Sequence, residues 1–177
     1  MVHQKLPPRD HLSVVNDLRS AIRNCKDDYM IFELLEKLAD FADSVEDIEI
    51  LVNLLENYPN GIIRHEAAAQ LAEIWQKHPA LFKNVNQRVV ASLMKCAKND
   101  TSRIARHEAI EALGYVGDKS VLKTLREIRN DEDEDIQKTA EIAIDIIEFR
   151  ARDKMKSIDL WKSILAINKK HGSVSDA

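Results

Sequence analysis

Residues 104–118 read Ile-Ala-Arg-His-Glu-Ala-Ile-Glu-Ala-Leu-Gly-Tyr-Val-Gly-Asp, and residues 62–74 read Ile-Ile-Arg-His-Glu-Ala-Ala-Ala-Gln-Leu-Ala-Glu-Ile. The two stretches are copies of one pattern. Each carries Arg-His-Glu-Ala at the same point, His65 with Glu66 and His107 with Glu108, followed by small and aliphatic residues at helical spacing. A repeated amphipathic segment is the sequence sign of an array of like units, each burying its apolar stripe against the next.

Working outward, the same apolar spacing recurs on both sides. Tyr29 to Ala42 reads as a helix with Ile31, Leu34, Leu35, Leu38 and Phe41 inward. Its partner runs from Val45 to Asn57, with Ile48, Leu51, Val52, Leu54 and Leu55 inward. Tyr58-Pro59-Asn60-Gly61 then breaks the chain. The next pair is Ile62 to Lys77 and, after an insertion containing His78-Pro79, roughly Asn84 to Lys98. A third pair is Thr101 to Val116 and Asp118 to Arg129, with Gly117 suited to a left-handed helix end and Asp118 to an N-cap. A fourth first-helix begins near Asp135, with Ile136, Ala140, Ala143, Ile144 and Ile147 on its stripe. Phe32-Glu33, His65-Glu66, His107-Glu108 and Lys138-Thr139 fall at one register, in steps of 33, 42 and 31 residues. Helix pairs at such intervals predict an all-α fold, a short α-solenoid with capping helices at both ends.

This gives a single repeat domain over 1–177. Residues 1–27 form a lead-in containing Pro7-Pro8 and a capping helix begun by Asp10, with Leu12, Val15, Leu18 and Ile22 inward. Residues 28–149 hold the repeats. Residues 150–177 supply a C-terminal helix whose Ile158, Trp161, Ile164 and Leu165 form a stripe, for capping or for a partner, before a disordered end from Gly172.

Composition agrees. Apolar residues make up 45% of the 177, aromatics only 5%, and Gly and Pro four each, which suits packed amphipathic helices rather than a turn-rich β fold. A net charge of −4 supplies no drive toward phosphate backbones or anionic membranes, so nucleic acid and membrane are not expected partners. Cys25 and Cys96 form no metal-type spacing and read as small buried residues in a reducing, cytoplasmic setting. No stretch has signal-peptide or membrane-span character.

The chemistry is concentrated in the two His-Glu pairs. Equivalent helices of neighbouring repeats pack about 8–10 Å apart, which sets His65 and His107 side by side on one face. Adjacent helix positions point about 100° apart, so a His and the Glu after it are not expected to aim at one ion. An imidazole from each repeat would meet one metal, leaving Glu66 and Glu108 for a second ion or a facing subunit. Imidazole with carboxylate and open positions suits non-haem iron. The contrary reading is a pair of solvated helix starts, with each Glu favoured there by the helix dipole. Arg64 and Arg106 are expected to link repeats through carboxylates or carbonyls. His78 is expected to be exposed, Tyr115 to pack, and the acidic run Asp131 to Asp135 to be an inter-repeat turn.

The segment from Asp28 to Ile147 resembles the HEAT-like repeats of phycobilin lyases and of deoxyhypusine hydroxylase. Arg64-His65-Glu66-Ala67 and Arg106-His107-Glu108-Ala109 are similar to the hydroxylase's His-Glu motifs in particular. In that family four such pairs, two in each half, hold two irons that activate dioxygen to hydroxylate a modified lysine on a translation factor. This chain carries two of the four pairs, so the resemblance implies a homodimer with two iron ions and with His65, Glu66, His107 and Glu108 as ligands. It implies a monooxygenase or hydroxylase acting on a protein. The alternatives are a non-enzymatic helical-repeat scaffold for protein–protein interaction and, from the general repeat type alone, chromophore handling.

Overall fold

A computed structural model describes residues 10–153, and all its regular elements are helical. Helices α1 (His11–Asn24), α2 (Asp28–Phe41), α3 (Val45–Asn57), α4 (Gly61–Lys77), α5 (Asn86–Asn99), α6 (Arg103–Val116), α7 (Leu122–Ile128) and α8 (Glu134–Asp153) follow in order. Side chains start most of them. Asp10, Asp27, Ser44, Asn60 and Ser102 each accept a backbone N–H from the first turn of α1, α2, α3, α4 and α6 respectively. At α3 Asp47 answers back to complete a capping box. The predicted C-terminal stripe from Ile158 to Leu165, the lead-in and the tail lie outside the described residues.

Helices α2, α4, α6 and α8 stack as one layer, and α3, α5 and α7 lie behind them. The sequence pairs α2 with α3, but in space α3 packs chiefly on α4, α5 on α6 and α7 on α8. Each second helix thus bridges to the following repeat. One continuous core results, with Ile31, Leu35, Ile48, Leu51, Ile63, Leu71, Leu93 and Ile110 fully buried along it. Each such side chain contributes about 1.5–3 kcal/mol of hydrophobic free energy. The insertion contributes too: a 3-10 turn at Pro79–Phe82 packs on α3 and α4 and sinks Phe82 into the core.

Charged ladders tie the repeats. Arg19 grips Asp47 through Nε (2.8 Å) and Nη2 (2.9 Å). Arg64 forks onto Asp100 at 2.7 Å through both nitrogens and also donates to the carbonyls of Tyr58 and Pro59. Arg106 donates to the Ala97 carbonyl and to Asp131. The expected linking role of Arg64 and Arg106 is therefore realised, and the acidic run Asp131 to Asp135, an inter-repeat turn up to Asp133 and the first turn of α8 beyond it, receives Arg103 and Arg106. Arg150 lies over the Trp75 ring and donates to the carbonyls of Gly114, Tyr115 and Gly117, orphan acceptors at the end of α6.

Four expectations need correction. Leu12 and Phe41 are exposed, not inward, Leu12 at 60% and Phe41 at 37%, and the Phe41 ring lies against that of His11. Cys25 is half-buried, while Cys96 is buried as expected, its thiol pushed up to about 12 by burial. The span from Asp118 is a 3-10 turn, Lys119–Val121, leading into the short α7. Gly117 has φ −73°, an ordinary extended end and not a left-handed one. Glycine is needed there for space, since a Cβ would sit 2.5 Å from the Leu113 carbonyl oxygen and 2.8 Å from Val121.

Candidate metal centre

The centre lies on the second turns of α4 and α6, with Glu111 one turn further along α6, and a close approach sets its spacing. Gly61 opens α4 directly against Ser102, the N-cap of α6, and a Cβ at Gly61 would fall 2.3 Å from the Ser102 hydroxyl. With Arg64 clamped on Asp100, the first turns of α4 and α6 are held edge to edge. His65 then reaches across the helix interface. Its Nε2 lies 3.3 Å from Glu108, and its Nδ1 lies 3.9 Å from Glu66 on its own helix.

Glu108 belongs at once to a second group. One ligand atom from each of His107, Glu108 and Glu111 lies within 4.8 Å of the others, a spread that one ion at ordinary bond lengths would span after small side-chain movements. His107 Nε2 and Glu111 are 3.6 Å apart. The 100° between neighbouring helix positions does not keep His107 and Glu108 apart here. The Glu108 carboxylate stands at the end of three rotatable bonds, and its reach offsets the 100° between neighbouring directions. Glu111, four residues after His107 and so on its face, is the residue that sequence reasoning missed. The His-x-x-x-Glu spacing was the available signal.

Electrostatics separate the two histidines. Hydrogen bonding to Glu108 raises the His65 pKa against the opposing effect of burial. Burial lowers that of His107. Burial also raises Glu66, partly countered by its bond from Gln70 (2.6 Å), and pushes Glu111 up to about 7, with Glu108 repelling it further. Burial thus favours the neutral form of the His107 imidazole, and it faces a carboxyl that burial makes reluctant to ionise without a cation beside it. A borderline imidazole beside hard carboxylates is a donor set that suits iron or a similar divalent ion. Glu66 is the deepest of the four expected ligands; Gln70 ties it from the next turn, and its free edge faces His65. His78 is exposed, and Tyr115 packs in the core with its hydroxyl pushed up to about 12 by burial.

The architecture is an all-α solenoid of HEAT-type repeats, and residues 90–157 match the family described as HEAT repeats. Curated relatives are deoxyhypusine hydroxylases. That of Aspergillus niger is 31% identical over 119 residues, covering 66% of this chain and 32% of the relative. Those of Debaryomyces hansenii and Cryptococcus neoformans are each 32% identical, over 58% and 55% of this chain. The chain spans about a third of the length of the curated relatives it matches, 32% for the first. Among solved structures, human deoxyhypusine hydroxylase in complex with glycerol superposes with a TM-score of 0.65 at 20% identity, covering 82% of this chain and 47% of that one, a likeness of fold. The chain is accordingly an all-α solenoid of HEAT-like repeats, similar in sequence to deoxyhypusine hydroxylases over 66% of its length. Among the described residues, no helix is long and apolar enough to cross a membrane.

Proposed function

We propose that this chain is a non-haem iron oxidoreductase of the hydroxylase type, with its metal centre completed in a homodimer holding two ions. The carrying observation is the cluster of His107, Glu108 and Glu111, a neutral imidazole and two carboxyls drawn to one point. His107, Glu108 and Glu111 would hold an ion directly. His65 would join once it gives up its hold on Glu108, and Glu66, aimed at the other edge of His65, would serve a second ion or the facing subunit. Iron bound there would supply dioxygen activation. The chain's own residues do the rest: Glu111 releases its proton as a cation enters, His65 holds Glu108 in place by a hydrogen bond until it turns to the ion, and Gln70 keeps Glu66 oriented.

The dimer reading rests on the surface beside the centre. Tyr29, Ile62 and Ile104 are 71%, 51% and 43% exposed, and each stands three residues before Phe32, His65 and His107. That places an apolar ridge one turn from the histidines on the same face. A second copy seated there would bring a second His-Glu set to the first. The same ridge gives the scaffold reading its one support, since it would also receive a different protein.

Expression without a histidine tag, anaerobic Fe(II) addition, metal analysis and solution mass decide between them. About two irons per dimer are expected, lost in a folded His65→Ala/His107→Ala protein. A monomer that takes up no iron and still binds partner proteins after that double substitution would sink the oxygenase reading and favour the scaffold.

A further inference from the structure

The histidine of each metal-face repeat is met by the residue that the next repeat places one position beyond its own His register. For His65 that residue is Glu108, at 3.3 Å. For His107 it is Thr139, whose Oγ1 lies 2.9 Å from His107 Nδ1. Thr139 is buried, and the same Oγ1 donates to the Asp135 carbonyl one turn back on α8, at 2.7 Å. A hydroxyl has one hydrogen, and a carbonyl oxygen only accepts, so that hydrogen is committed to Asp135. His107 must therefore supply the proton of its own bond to Thr139. Nδ1 carries the hydrogen, and the lone pair of the neutral ring is on Nε2, the nitrogen 3.6 Å from Glu111.

We infer that Thr139 is a positioning residue that fixes His107 as the Nε2-lone-pair tautomer and aims that nitrogen between Glu108 and Glu111. The inference rests on the metal-site reading above but concerns a residue outside the ligand set. Glutamate at this point of the ladder would ion-pair the ring, as Glu108 does His65. Threonine instead leaves the ring neutral and oriented. Outer partners of this kind typically change metal affinity 10–100-fold when removed.

The test compares wild type, Thr139→Val and Thr139→Ser in two measurements on the full chain. Nitrogen NMR of the labelled, metal-free protein reads the His107 tautomer, and Co(II) titration reads affinity. The expectation is Nδ1–H in wild type and Ser, a mixture of both tautomers in Val, and cobalt binding about 10–100-fold weaker in Val and restored in Ser. Unfolding midpoints of the three proteins separate this from a general loss of packing, because a packing defect does not move the ring proton. An unchanged tautomer in Val, or cobalt affinity within about twofold of wild type, overturns the inference. Wild type that binds no cobalt overturns the metal-site reading, and the tautomer comparison still decides the role of Thr139.

Discussion

Replacing Arg64 with Met should remove the clasp that aligns the two metal-face helices, and its cost follows from the geometry. The guanidinium makes two 2.7 Å bonds to Asp100 and one each to the Tyr58 and Pro59 carbonyls, with side-chain exposures of 12% for Arg64 and 8% for Asp100. Without it Asp100 keeps only the Ser102 amide and a long contact from the Cys96 thiol, for a nearly buried negative charge. Removing one partner of such a pair costs about 3–5 kcal/mol. For a chain of this size each kcal/mol lowers the midpoint by roughly 2–4 °C, so a fall of about 6–20 °C is expected. Urea unfolding followed by far-UV circular dichroism measures it. Adding Asp100→Asn to the Met variant removes the stranded charge and should return about 1–2 kcal/mol. The pH dependence gives an independent check. The Arg64 guanidinium and the Ser102 amide hold the Asp100 carboxyl below the ordinary aspartate value. Its stabilisation is therefore complete above about pH 4 and lost as pH falls below that. The gap between wild type and Arg64→Met should accordingly narrow in acid. A loss below about 1 kcal/mol at neutral pH, or a gap that does not narrow in acid, would refute the argument.

Co(II) or Fe(II) affinity should rise with pH from about 5 to 8, because His65 is held protonated by Glu108 and Glu111 titrates near 7, and both must shed protons for a cation; a flat profile in isothermal titration would contradict this. Glu111→Gln should abolish tight cobalt binding yet stabilise the metal-free protein at pH 8. The sign follows from the raised folded pKa of Glu111: its charge is disfavoured in the fold, so stability is lost as pH rises through about 7, and the neutral amide escapes that loss. Thermal scans at pH 5 and pH 8 should show the gain only at the higher value. Gly61→Ala forces a Cβ to 2.3 Å from the Ser102 hydroxyl and should destabilise by about 1–3 kcal/mol while weakening metal binding through displacement of α4 from α6. Rotation of the hydroxyl cannot relieve the clash, because the Ser102 Cβ itself would lie 2.5 Å away, so a variant as stable as wild type would show that α4 and α6 separate without cost. His107→Ala should lose cobalt binding with little change in unfolding midpoint, since its ring is only half-buried.

Much of the fold was present in local patterning. Stripe spacing, cap residues such as Asp10 and Asp118, and the breaks at Tyr58 to Gly61 depend on neighbours within a turn or two, which is where sequence has most leverage. The repeated Arg-His-Glu-Ala marked the face and the repeats that matter. What it did not contain was partnership across helices. That α3 packs on α4 more than on α2, that Gly61 is a contact point and not merely a breaker, and that Leu12 and Phe41 remain in solvent are consequences of stacking.

The centre divides the same way. By itself the sequence determined that His65, Glu66, His107 and Glu108 occupy equivalent positions on neighbouring helices, because helical periodicity and repeat register are properties of spacing along the chain. Only the tertiary structure decided which atoms meet. Glu108 turned to His65 as well as to His107, Glu111 entered the cluster, and Thr139 arrived from α8 to bind the far side of the His107 ring. Those choices depend on helix separation and side-chain reach across interfaces, distances of a few ångströms that no pattern of residue types records.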